Sequence, residues 1–94
     1  MPAPSIAGSR RVRSADGAVV FTLVPTARGV AVERVLVHGG NVVSQVVAFA
    51  DAESFHRWCD ANPMRFENPS IHVEVTRDGD AIILRQGVQD RLAR

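Results

Sequence analysis

Between Arg10 and Arg85 the chain alternates short apolar or alternating stretches with turn residues. Arg10–Ser14 reads as a weak first strand. Ala18–Val24 reads as a second, with Val19, Phe21 and Leu23 on one face and Val20, Thr22 and Val24 on the other. The intervening Asp16-Gly17 is a dipeptide of two-residue hairpin turns, whose central residues must tolerate positive φ. Pro25, lacking a ladder donor, stops the second strand, and Thr26–Gly29 makes the next turn.

Val30–His38 and Val42–Phe49 form the central hairpin, joined by Gly39-Gly40-Asn41. Both strands are apolar on both faces, the pattern of a strand covered on two sides. Glu33 and Arg34 interrupt one, Ser44 and Gln45 the other. A two-residue Gly39-Gly40 loop sets position 34 opposite 45 and position 35 opposite 44, a polar band across the hairpin.

Helical spacing then replaces alternation. Asp51 suits an N-cap, Glu53 favours the helix dipole, and Ala52, Phe55, Trp58 and Cys59 make an apolar stripe that should pack on the sheet. Pro63 ends this helix, and Met64–Ser70 reads as a loop. Ile71–Arg77 alternates cleanly, Asp78-Gly79 supplies a second hairpin signal, and Ala81–Arg85 returns as a final strand, followed by a polar tail. The expected fold is α+β: a mostly antiparallel sheet of five to six strands with one central helix, in the order ββββαββ. Residues 1–9 read as a disordered tail and 10–94 as one domain.

Composition adds little to this. The hydrophobic fraction of 46% and charged fraction of 22% are ordinary for a globular chain, which argues against disorder. The N-terminus has no basic run before an apolar one, and no apolar stretch approaches the ~20 residues that span a bilayer, so no membrane partner is expected. With a single cysteine, Cys59, no intramolecular disulfide can form, and a reducing, cytoplasmic compartment is expected. Net charge is +1 and every one of the eleven basic residues is arginine, a bias that GC-rich codon usage explains as well as phosphate binding does.

The residues offer four candidate roles. His56 and Cys59, three apart on the helix, pair a base with a thiol, yet Cys59 belongs to the apolar stripe and reads as an inert buried thiol. Only His38 and His72 could add metal ligands, and neither lies in a ligand-spaced motif, so no catalytic residue, metal or cofactor is expected. Asp78-Gly79-Asp80 lacks the length and terminal glutamate of a calcium loop. Arg10, Arg11 and Arg13, with Arg34 pointing outward, form a basic arm suited to single-stranded nucleic acid, although arginines on a short edge strand also guard against aggregation. Over about residues 10–62 the order of four strands and a helix is similar to the unit of Whirly-type and Pur-type single-stranded-DNA binders, which implies the same alternative; no sequence motif of those families is present.

The fourth role is self-assembly. One helix covers only part of a two-faced apolar sheet; a second copy is the commonest cover for the rest, and a strongly curled, barrel-like monomeric sheet is the alternative. The expectation is therefore a non-catalytic binding or assembly module, homodimeric, with no protein partner identified. A single-stranded nucleic-acid binder is the alternative, and a small ligand-binding or enzymatic domain using His56 or His72 comes third.

Overall fold

The computed structural model describes residues 8–92. The tail expected over residues 1–9 therefore lies, except for its last two positions, outside the described residues. Four strands, β1 (Arg10–Arg13), β2 (Val19–Pro25), β3 (Val30–His38) and β4 (Asn41–Phe49), form one antiparallel meander in the order β1-β2-β3-β4. Three helices follow: α1 (Ala52–Ala61), the single-turn α2 (Met64–Glu67) and the long α3 (Pro69–Leu92). The α+β class and antiparallel sheet are as expected. The five-to-six strand count, the single helix and the final ββ of the order are not, because residues 64–67 of the expected loop form α2 and residues 71–77 and 81–85 lie within α3.

The turns explain the registers. At the first, the Ser14 hydroxyl donates to Asp16 Oδ1 (2.5 Å) and accepts from the Val19 N–H (3.1 Å), while the Gly17 N–H donates to the Ser14 carbonyl (3.0 Å). Only Gly17 takes a positive φ, at 73°; Asp16 serves the turn through its carboxylate, not through the left-handed backbone that the dipeptide suggests. At the second, the Gly29 N–H donates to Thr26 Oγ1 (3.0 Å), and a Cβ on Gly29 would stand 2.0 Å from the Phe49 carbonyl oxygen. The third is the Gly39-Gly40 loop, both glycines at positive φ, which pairs His38 with Asn41, Arg34 with Gln45 and Val35 with Ser44. That register is the one read from the sequence.

All three helices pack on one side of the sheet. Val12, Phe21, Leu23, Val30 and Val32 face Phe55 and Cys59 of α1, Met64 of α2, and Ile71, Val75 and Ile82 of α3. Phe49 stands 5.6 Å from Phe55 and 5.5 Å from Trp58 between ring centroids, and Trp58 meets Phe21 edge-on at 6.4 Å. Asp51 caps α1 as expected, accepting from the Ser54 N–H at 2.7 Å. Pro63 forces Asn62 into extended backbone (φ −78°, ψ 136°), which ends the helix.

Candidate functional site

Antiparallel partners point to the same side of a sheet, so the register assigns every strand residue to a face. One face, carrying Val12, Phe21, Leu23, Val30 and Val32, lies under the helices. The other carries Arg11 and Arg13 of β1, Val20, Thr22 and Val24 of β2, Ala31, Glu33, Val35 and Val37 of β3, and Val42, Ser44, Val46 and Ala48 of β4. No described helix crosses this second face. Its β4 side is open: Val42 is 66% exposed, Val46 65% and Val37 46%. Exposure continues around the edge, because Val43, on the helix side, is 53% exposed as well. Val42 pairs with Val37 across the two strands, and Val46 lies four residues along β4 on the same face.

The register places the four arginines of the basic arm on different faces. Arg11 and Arg13 point to the open face and Arg10 to the helix face, since neighbouring strand residues alternate. Arg34 is not outward: it pairs with Phe21 and Gln45 on the helix face, lines a cavity of about 170 Å³ with Val19, Leu36, Asn62 and Ile71, and is half-buried. Its buried Nε has no hydrogen-bond partner among the described residues. Phe21, Phe49, Phe55 and Trp58 all lie on the helix side, so the open face presents none of these rings on which a base could stack.

The His56–Cys59 pair is likewise divided. Cys59 is fully buried, and burial pushes its thiol up to about 11. His56 points away from it and meets Asp80 of α3 at 2.5 Å, with both side chains nearly half exposed. Lower on the same helix pair, His72 of α3 stands 3.5 Å from Asp60 of α1, an ion-pair distance, not a hydrogen bond. The two histidines thus tie α1 to α3 by reciprocal contacts. They make no metal site, and no cluster of three or more metal-ligating side chains exists among the described residues. The carboxylates of Asp16 and Asp51 are held below the usual range by hydrogen bonds, from the Ser14 hydroxyl and then the Ala18 N–H to Asp16, and from the backbone N–H and then the hydroxyl of Ser54 to Asp51. Both serve local structure.

A cavity of about 350 Å³ opens between Arg10, Pro25 and the α3 residues Ala81, Ile82, Arg85 and Gln86. Gln86 is already engaged, donating to the Thr26 carbonyl. The described lining holds no nucleophile, histidine or carboxylate, so it offers no set of groups for catalysis. None of the described helices is long and apolar enough to cross a membrane. No family model, curated protein or solved structure matches the chain.

Proposed function

We propose that this chain is a non-catalytic assembly module that self-associates through the sheet surface its helices leave open. The observation that carries the reading is the valine patch of Val37, Val42 and Val46, each 46% exposed or more, on a face that no described helix covers. Burial at roughly 25 cal/mol per Å² of apolar surface makes a second copy a favourable cover, and a two-fold contact lets one patch meet itself. The separated arginines, the thiol buried away from His56, and the catalytically bare cavity support a binding role over an enzymatic one. Sedimentation equilibrium across a concentration series tests the reading. It predicts a reversible monomer–dimer equilibrium, weakened when Val42 and Val46 are both changed to threonine; a strict monomer at high micromolar concentration would remove it.

A further inference from the structure

The open face ends at an edge, and that edge has a definite hydrogen-bonding polarity. β4 is the last strand of the meander, with β3 on one side and no described strand on the other. The Val37 N–H donates to the Ala18 carbonyl beside β2 (2.8 Å), so the odd residues of β3 turn their backbone groups toward β2 and the even ones toward β4. Even residues of β3 pair with odd residues of β4: Val32 with Val47, Arg34 with Gln45, Leu36 with Val43. It follows that Val42, Ser44, Val46 and Ala48 aim their N–H and C=O groups away from the sheet.

Natural edges are usually guarded by charge, proline or a bulge. β1, the opposite edge, has three arginines in four residues. β4, Asn-Val-Val-Ser-Gln-Val-Val-Ala-Phe, has no charge and no proline, and it pairs with β3 without a bulge along its nine residues. Of the two described edges, β4 alone lacks these guards. A single self-complementary edge closes on a second copy and stops, whereas two would propagate a fibre.

The strand also suits itself. A two-fold axis through antiparallel strands keeps both sets of helices on the same side only when paired residues have equal parity. The pairing that overlaps all of Asn41–Phe49 places the axis on Gln45, the middle residue. Val43 then lies opposite Val47 of the second copy, Val42 opposite Ala48, and Ser44 opposite Val46. The four outward residues of each copy can exchange all their backbone hydrogen bonds in this register, and Gln45 meets its own counterpart with two side-chain amides able to bond reciprocally.

We infer that β4 pairs antiparallel with β4 of a second copy about a two-fold axis at Gln45, joining two four-stranded sheets into one continuous sheet. This inference rests on the assembly reading above for self-association, but places the contact along the β4 edge of the open face, not across that face. Single cysteines at positions 43 to 47 test it by disulfide formation under mild oxidation. At the axis the two Cα atoms are ~4.5 Å apart, within disulfide reach, whereas one residue away each position is displaced from its own counterpart by about two residues along the strand, beyond that reach. The expected result is a sharp maximum at Gln45→Cys, with buried Cys59 contributing none in the unmodified chain. Proline supplies a second readout. Val46→Pro removes only an outward amide, so it should weaken the dimer about 10–100-fold, two hydrogen bonds being lost per dimer, while circular dichroism stays unchanged. A dimer with no cysteine maximum and full tolerance of Val46→Pro overturns the edge geometry and leaves the assembly reading standing on face-to-face contact. A maximum at another position overturns the Gln45 axis. A monomer at every concentration overturns both.

Discussion

A Cβ placed on Gly79 would stand 2.1 Å from Cζ of the Phe55 ring and 2.4 Å from Cε2. Gly79 is therefore the point at which α1 presses its largest buried side chain directly on the backbone of α3. The substitution Gly79→Ala sets two effects against each other. Alanine improves helix propensity by about 1 kcal/mol, and overpacking a filled site costs about 1–3 kcal/mol. Phe55 is fully buried and cannot retreat, so the clash dominates, and Gly79→Ala should destabilise the protein by up to about 2 kcal/mol in urea unfolding. In a Phe55→Leu background the same change should become neutral or stabilising. An additive double mutant would show that the two residues do not touch.

This contact also explains where the sequence misleads. Ile71, Val73 and Val75 alternate like a strand, and Asp78-Gly79 resembles a hairpin turn. The helical signal was present in parallel: Ile71, Val75 and Ile82 recur at helical spacing and are the α3 residues that reach the core, whereas Val73 is 60% exposed. β-Branched residues pull local preference toward strand, and tertiary packing overrides it. The glycine is in the helix for Phe55, a residue 24 positions earlier that no local pattern reveals. The other elements were legible because their causes are local. Gly39-Gly40 fixes the hairpin register, Asp51 and Pro63 bracket α1, and Thr26–Gly29 closes its own turn. The misplacement of Arg34 has a similar origin. With both faces of β3 apolar, alternation alone does not say which face the helices choose, and only the pairing of Arg34 with Phe21 does.

The aromatic cluster separates two residues of the same stripe. Phe55 is fully buried, whereas Trp58 is half-buried between Phe21 and Phe49. Phe55→Ala should cost about 3–5 kcal/mol, the usual range for emptying a buried aromatic site. Trp58→Ala should cost clearly less, because part of the indole already meets water. Chemical denaturation of the two variants checks this, and a larger loss for Trp58 would place the helix the other way round.

Cys59 should be inert in the folded protein. Burial is the main cause that raises its thiol to about 11, while the unfolded chain ionises near the ordinary value of ~8.5. Folding thus favours the protonated form. The stabilisation is complete below pH ~8.5 and is lost as pH rises toward about 11, where the unfolded chain has already released its proton. At pH 8 iodoacetamide should label the urea-unfolded chain quickly and the native chain only through unfolding. Equal rates in both states would show an accessible thiolate.

Acid should weaken the start of α1. The Asp51 carboxylate accepts the Ser54 backbone N–H at 2.7 Å, and this bond, followed by the Ser54 hydroxyl, lowers its pKa in the folded state. The unfolded chain takes up its proton near pH ~3.9, before the folded one does. The cap therefore contributes fully above that pH, and its contribution is lost as pH falls toward and through the lower folded value. Asp51→Asn retains a side-chain oxygen for the cap but cannot ionise, so it should flatten the acid limb of the stability profile without abolishing α1. Thermal unfolding of both proteins between pH 7 and 3 reads this directly. Parallel acid limbs would mean that another carboxylate, Asp16 in its turn being the first to examine, carries the acid sensitivity.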